Sequence, residues 1–331
     1  MSHDAGVGRA ISHWLTPAVR AVVWFLGALT LLALLDRFSA YLELLTFFRV
    51  QYAALLLVAG VIALAVRLPR VALAALALAA VNLAVVAPTW FPPRGAEPAP
   101  GSGSLTLLVL NLEDGNPRHA DVARLIDETK PDVVGLLELT PVWAGGLAPA
   151  LDRFPHRRLS PESGAYGIGL YSKPAFRQAT LERFPRDGPV SVVAGFDLGG
   201  DSFTLVLTHV HTPFAGDIHR RQFEALADAR DELGSRLAIC GDLNSVPWSA
   251  SFRHLASAGG LTDSHRGQWL EGSWPSWGML IRVPIDNCLI SPGVTVLEQA
   301  YGEDVGSDHF PLLIRFGMST TPPVSTPSGR R

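Results

Sequence analysis

The chain has 331 residues, enough for two domains, with 48% hydrophobic residues, a mean hydropathy of +0.25 and a formal net charge of −3. Residues 1–100 hold seven arginines and four acids, while the remaining 231 carry 20 basic and 26 acidic side chains, a formal charge of −6. That acidic half, with Lys130 and Lys173 its only lysines, excludes the basic footprint of tight nucleic-acid backbone binding, and two cysteines at no zinc spacing exclude a cysteine-based metal site.

Residues 1–17 read as a polar tail with Arg9. Three apolar runs follow: Ala18–Leu35 with one charge, Arg20, then Val50–Val66 and Val71–Ala87 with none. Each is long enough, at the lower limit, to cross a hydrocarbon core, and none shows the polar stripe of a soluble bundle. A cleaved signal peptide accounts for the first run but not for the next two. The expectation is a membrane domain over 1–90 with three transmembrane helices, in which Asn82 makes a helix-packing contact. Arginine placement gives its orientation. The short loop Arg67-Leu-Pro-Arg70 and Arg9 and Arg20 fall on one side, Arg37, Arg49 and Arg94 on the other. With the former side cytoplasmic, an odd number of spans puts the larger half outside the cytoplasm.

Residues 91–104 have linker composition, proline-stiffened and then Gly/Ser-rich. From Leu105 on, short apolar runs read as strands: Leu105–Leu110, Val133–Leu137, Ile168–Tyr171, Val190–Phe196, Phe203–Leu207, Arg236–Cys240, Ile285–Ile290 and Leu312–Phe316. Pro117–Thr129, with Val122, Leu125 and Ile126 on one face, and Ile218–Leu233 read as helices. Strands and helices do not alternate regularly, which favours a layered α/β or α+β sandwich over a doubly wound sheet. Cys240 and Cys288 lie in apolar strands and read as buried free thiols rather than a disulfide. Residues 319–331, rich in Ser, Thr and Pro, read as a disordered tail.

Polar residues gather where the apolar strands end. Leu110-Asn111-Leu112-Glu113, Leu137-Glu138, Thr208-His209-Val210-His211 and Gly241-Asp242-Leu243-Asn244 follow four of them. Ile285-Asp286-Asn287 and Ser307-Asp308-His309 introduce two more. Gly241 lets the chain turn sharply, and Asp242 and Asn244, two residues apart, project the same way. Each cluster alone is compatible with turn chemistry. Together they repeat carboxylate, amide and imidazole, which suits a hard divalent cation and metal-assisted attack of water on phosphorus.

The ordered set resembles the endonuclease/exonuclease/phosphatase superfamily, which includes DNase I, apurinic endonucleases, inositol polyphosphate 5-phosphatases and bacterial sphingomyelinases. The similarity runs over Leu105–Phe316 in the order Asn111, Leu-Leu-Glu138, Gly-Ile-Gly-Leu-Tyr-Ser-Lys173, Thr-His209, Gly-Asp-Leu-Asn244, Ile-Asp286 and Ser-Asp-His309. The apolar runs ahead of it resemble a bacterial membrane-anchored branch that includes VanJ-like proteins. The resemblance implies a four-layered, DNase I-like α/β sandwich over 105–318 and a phosphoric-ester hydrolase using Mg²⁺ or Mn²⁺. It implies Glu138, Asn111 and Asp308 near the metal. It implies Asp242 and Asn244 positioning water and phosphate, His209 stabilising the pentacovalent phosphate, and Asp286 orienting the catalytic His309. Asn244 and His209 would also bind substrate. Either His309 or Asp242 takes the proton, and one or two metals serve. Glu113 and Tyr166 match the family's motifs loosely, and Trp274 lines a cleft or packs under a loop.

Beside the bilayer, the expected substrate is a phosphate or pyrophosphate ester, lipid-linked and in the cell envelope. A metal-dependent nuclease is the alternative, and a catalytically silent binding domain a third. Nucleic acid is the less favoured partner on charge, and no obligate protein partner is evident. His211 and His219 read as loop or surface histidines.

Overall fold

The protein was analysed as a computed structural model that describes residues 3–92, 103–268 and 271–319, with side chains from residue 14 onward. The expected tail (319–331), apart from Ser319, and most of the expected linker (91–104) lie outside the described residues.

The N-terminal part is helical: α1 (His3–Ala33), a short α2 (Ala40–Glu43) between two 3-10 turns, α3 (Arg49–Ala65) and α4 (Pro69–Val86). Trp14–Ala33 and Pro69–Trp90 are each long and apolar enough to cross a membrane. The middle run differs from expectation. α3 alone has 17 residues, and it forms a third candidate span only together with Ala40–Thr46, from which it is bent by 52°. The cause lies in the polar residues upstream. Ser39 caps α2 by accepting from the Tyr41 amide, and Glu43 is drawn out of the helix line into the second half of the protein. Small residues line the seam between α3 and α4. Ala59, Ala63, Ala72, Ala75 and Ala79 are buried, whereas Trp24, Phe25, Val61, Leu64 and Leu73 face outward. Asn82 makes the expected packing contact: it donates to Thr30 Oγ1 at 2.8 Å and accepts from Arg49 Nη1 at 3.2 Å.

The second half runs β1 (Ser104–Asn111), α5 (His119–Thr129), β2 (Val133–Leu137), α6 (Pro141–Leu151), β3 (His156–Ser160), β4 (Ile168–Ser172), β5 (Gln178–Arg183), β6 (Val190–Leu198) and β7 (Asp201–His209). It continues with α7 (Asp217–Asp228), β8 (Leu237–Asp242), α8 (Ala250–Ala258), β9 (Thr262–Asp263), β10 (Asp286–Ile290), β11 (Val294–Tyr301) and β12 (Leu312–Met318). The strands form two six-stranded mixed sheets, in the orders β11-β12-β1-β2-β4-β3 and β5-β6-β7-β8-β10-β9. Each has one central parallel pair, β1 with β2 and β7 with β8. Apolar side chains of both sheets, among them Leu107, Val109, Leu205, Leu207, Phe203 and Phe316, fill the space between them. The outer face of the first sheet packs on α5 and α6 through Leu108, Leu136, Ile126 and Trp143. That of the second packs on α7 and α8 through Val206, Ile239, Phe223 and Phe252. The expected four-layered α/β sandwich is present.

The strands that periodicity missed are β3, β5, β9 and β11. β3 and β5 lie at sheet edges and carry only half-buried and exposed residues, so no continuous apolar run announces them. The two cysteines correct the expectation of free thiols. β8 and β10 pair antiparallel with Cys288 opposite Cys240, the Cα atoms 4.1 Å apart, and the side chains form a disulfide. A contact set by strand pairing across 48 residues leaves no local signal.

Candidate active site

The site lies where the central strands of both sheets end. Asn111 and Glu138 come from the C-terminal ends of β1 and β2, His209 and Asp242 from those of β7 and β8. The antiparallel β10 starts at the same edge, with Asp286 opposite Asp242, and His309 precedes β12 beside β1. Parallel neighbours must end together and antiparallel ones must begin there, so six distant segments meet at one edge.

Local geometry aims these groups. Gly241 is obligatory: at φ 146° any Cβ would stand 1.8 Å from the Thr208 carbonyl oxygen. Glu113, Glu138 and Asn244 have φ of 56°, 55° and 45°. Left-handed backbone is costly for residues with a Cβ and gathers where function over-determines the chain. Glu113 and Asn244 are held by turns that the preceding polar side chain makes: Asn111 Oδ1 accepts from the Glu113 amide at 3.1 Å, and Asp242 Oδ1 from the Asn244 amide at 2.9 Å.

Asn111 bridges the sheets. Its Nδ2 donates to Glu138 Oε1 at 3.2 Å and to Asp242 Oδ2 at 3.1 Å. The same Asp242 oxygen faces His209 Nε2 at 3.3 Å and His309 Nε2 at 3.7 Å. Burial acts to raise the Asp242 carboxyl, but the two imidazoles and the Asn244 amide hold it below the usual range. His309 Nδ1 donates to Asp286 Oδ2 at 2.7 Å. Burial works against the His309 imidazolium, yet Asp286 and Asp242 prevail and push it up to about 10. His209 Nδ1 donates to the Ala165 carbonyl at 2.8 Å, and it too is raised, Asp242 outweighing burial. Asn244 Nδ2 donates to the Val210 carbonyl at 2.8 Å. The Asp308 amide donates to Glu113 Oε2 at 3.0 Å, and Asp308 Oδ2 accepts from Trp274 Nε1 at 2.9 Å. Ser307 ties this loop to β1 by donating to the Asn111 carbonyl at 2.8 Å.

Asn111, Glu138, His209, Asp242, Asn244, Asp308 and His309 all line one cavity of 570 Å³, with Asp286 directly behind His309. Glu113, Tyr166 and Trp274, loosely placed by sequence, line it too. Tyr166 stands between the His209 and His211 rings, at centroid distances of 5.5 and 4.5 Å. His211 bonds Gln222 and stays outside the lining, as expected. His219 does not fit the expected surface histidine: it is fully buried, its ring between the His211 carbonyl and Glu43.

Four carboxylates (Glu113, Glu138, Asp242 and Asp308) line the cavity, and among the described residues no lysine or arginine lies in its walls. Glu113 is raised by burial, then by Asp308 and Glu138, so the carboxylates repel one another. An all-oxygen, over-negative set fits a hard divalent cation. Asp242, Asp286 and His309 also offer atoms within 4.8 Å of one another, but Asp286 Oδ2 and His309 Nδ1 are engaged with each other.

Sequence alone did not foresee one wall. Leu44, Leu45, Phe47 and Phe48, from the bend between the first and second apolar runs, and Tyr52 of α3 line the same cavity. Glu43 anchors that bend by accepting from Ser245 Oγ at 2.8 Å and Ser251 Oγ at 2.6 Å, and Thr46 accepts from Trp248 Nε1 at 2.7 Å. The one signal was Glu43 itself, an acid inside an apolar stretch.

A model of the Endonuclease/Exonuclease/phosphatase family matches residues 107–309. Inositol phosphosphingolipids phospholipase C of Saccharomyces cerevisiae is 29% identical over 161 residues, 40% of this chain and about a third (34%) of that protein's length. Among solved structures, D. rerio TDP2 complexed with a single-strand DNA product is similar with a TM-score of 0.55 at 18% identity, covering 65% of this chain and 99% of that one. The mannosyl-6-phosphatase of Bacteroides thetaiotaomicron gives 0.52 at 16%, covering 64% and 99%. Likeness at these identities speaks for the fold. The family match covers the whole sandwich between β1 and the mouth of β12, and the chain belongs to the Endonuclease/Exonuclease/phosphatase family.

Proposed function

We propose that this protein is a membrane-anchored, divalent-metal-dependent phosphoesterase of the VanJ-like kind, acting on a lipid-linked phosphate or pyrophosphate outside the cytoplasm. The observation that carries this reading is the shared cavity. Its floor is the carboxylate–imidazole cluster, and one wall belongs to the bent pair Ala40–Thr46 and Arg49–Ala65, which taken together is the third candidate membrane span. A phosphate placed on that floor lies beside the bilayer, where lipid-borne substrate is concentrated. The formal charge of −6 beyond residue 100 disfavours a polyanionic nucleic acid.

In this reading Glu138, Asn111 and Asp308 hold Mg²⁺ or Mn²⁺. When bound, the ion supplies Lewis-acid polarisation of the phosphoryl oxygen. Asp242, kept ionised, orients the attacking water and can take its proton. The His309 imidazolium, fixed by Asp286, offers Nε2–H to a phosphoryl or leaving oxygen. His209 and Asn244 stabilise the developing equatorial charge from the second sheet, much as donors do in an oxyanion hole.

Two observations support the placement. The Cys240–Cys288 disulfide suits an oxidising compartment. The bend at Ala40–Phe48 and the end of α4, where Thr89 accepts from the Gly267 amide, both touch the catalytic half. The Arg67–Arg70 loop therefore sits one helix length away, roughly 25 Å for 17 residues, which suits a cytoplasmic loop.

The test is hydrolysis by the purified full chain in lipid vesicles. Prenyl pyrophosphate, a soluble phosphodiester and plasmid DNA are each offered with Mg²⁺ and with EDTA. Metal-dependent release of phosphate from the lipid is expected. Turnover of DNA alone would reassign it as a nuclease, and no turnover of any substrate would make it a binding domain.

A further inference from the structure

Resting on that reading, we propose that the bend between the first two apolar runs is part of the substrate site. Leu44 and Leu45, with Phe48 and Phe214 lining the same cavity, would seat the first carbons of the substrate's hydrocarbon tail while the phosphate occupies the carboxylate–imidazole floor.

The geometry argues for it in three steps. First, these side chains are continuous with the chemistry: the same 570 Å³ cavity is lined by Leu44, Leu45 and Phe48 and by Glu138, Asp242 and His309. Ligand pockets of about 300–1,000 Å³ are mostly apolar with a few convergent polar groups, and this one fits that pattern. Second, Leu44 and Leu45 are only half-buried and belong to none of the packed apolar clusters, so their surface is not consumed by folding. Phe47, by contrast, is packed with Val246, Trp248 and Ile285 and supports the wall from behind. Phe214, in the turn Pro213–Ala215 that packs against α2, is 73% exposed and adds to this surface. Apolar surface gathered into a patch at the mouth of a site marks a ligand or membrane contact. Third, the wall is fixed rather than draped. Glu43 and Thr46, on either side of Leu44 and Leu45, are bonded to Ser245, Ser251 and Trp248. Ser245 follows Asn244, so one hydrogen-bonded segment sets both the tail wall and the phosphate-facing loop.

The occupant is a hydrocarbon tail because Leu44, Leu45, Phe47 and Phe48 offer only apolar carbon, and of the named wall residues only Tyr52, a residue 8% exposed, carries a donor for a sugar or base. It is the tail of a bilayer lipid because α1 and α3, which carry the bend, are themselves apolar outward.

The experiment uses the full chain in detergent micelles with saturating Mg²⁺ and two pyrophosphate esters differing only in tail, methyl (one carbon) and geranylgeranyl (twenty carbons). Each methylene withdrawn from water changes affinity roughly fourfold, so a wall holding even two of them gives about a tenfold preference for the long ester. The kcat/KM ratio, long over short, is expected to fall about tenfold in the double variant Leu44→Ser/Leu45→Ser, mainly through KM. It is expected to stay constant in Leu73→Ser, a change of an outward residue on α4 remote from the cavity. Equal loss on both esters, or no change in the ratio, overturns the tail seat. An equal shift in Leu73→Ser also overturns it, in favour of bulk partitioning into micelles. Turnover of both esters with no preference in the wild type overturns the tail seat and leaves the phosphoesterase standing. Turnover of neither ester overturns the proposed function with it.

Discussion

Two of the buried carboxylate–imidazole pairs in this protein have the same composition and are used differently. Asp286–His309 joins at 2.7 Å at the mouth of β12, and His309 Nε2 remains turned toward the cavity and Asp242. Glu43–His219 lies at 3.4 Å between the bend and α7, both side chains at 0% exposure, with Ser245 and Ser251 donating to the same carboxylate and the His211 carbonyl taking the other ring nitrogen. The first pair keeps a free proton-exchanging edge beside a cavity. The second has every polar atom spent. Under the proposed function, identical chemistry therefore serves catalysis where a valence stays open and assembly where none does.

The comparison is tested most severely at the floor of the open site. Glu138→Ala is expected to abolish metal-dependent turnover, since hard cations lean on one or two carboxylates. Titration calorimetry with Mg²⁺ and a rate assay check it, and wild-type metal affinity in the variant would remove Glu138 from the ligand set. Next, His309→Ala is expected to lower kcat by about 10²–10⁴ while Mg²⁺ binding stays close to wild type. Asp286→Asn is expected to lower kcat less, keeping the shape and losing the charge that raises His309.

The sealed pair should respond in stability instead. Glu43→Ala leaves two buried hydroxyls and an imidazole without their acceptor, a loss on the order of 3–5 kcal/mol. Thermal unfolding in detergent is the readout, and the fraction that folds should keep kcat on a short, soluble ester within a few-fold. A large loss of kcat without loss of Tm would break the distinction between open and sealed pairs. Removing the Cys240–Cys288 bridge by double serine substitution is expected to cost about 2–4 kcal/mol through loop entropy. The two variants separate the cohesion of the sandwich from that of its anchor.

A further buried pair, Asp263 and His265, sharpens the comparison by pH, with the smallest effect. Asp263 Oδ1 accepts from the backbone amide of His265 rather than from its ring, whose Nδ1 faces Gln299. With no carboxylate on the ring, burial pushes His265 down to about 4, whereas Asp286 helps push His309 up to about 10. The unfolded chain takes a proton on His265 near pH 6.5 and the fold only near 4, so its contribution is full above pH 6.5 and is lost as pH falls toward 4. Asp263, raised by burial to about 6, acts oppositely: its contribution is present below about 3.8 and is lost as pH rises through 6. The two offset between pH 4 and 6. Asp263→Asn uncovers His265, and stability should then fall by roughly 1.4 kcal/mol for each pH unit of acidification in that window. A flat profile in the variant would show that the ring is not held neutral.

Much of the catalytic half was legible in the chain. Buried strands such as Val133–Leu137 are continuous apolar runs, and a polar residue just beyond such a run marks its tip. Asn111, Glu138, His209, Asp242, Asp286 and His309 could thus be picked out before their distances were known. The edge strands β3 and β5 were not legible, because half-exposed strands carry no apolar run. Three facts were decided only by the tertiary structure. Cys240 and Cys288 meet because β8 and β10 pair in one register. His219 is buried because α7 turns it toward Glu43. Leu44 and Leu45 become cavity wall because the chain bends by 52° and docks on the catalytic half. Periodicity and composition report what a segment must bury, since that is a local property of its side chains. Which distant segment covers it is fixed by strand register and docking, and no stretch of sequence carries that by itself.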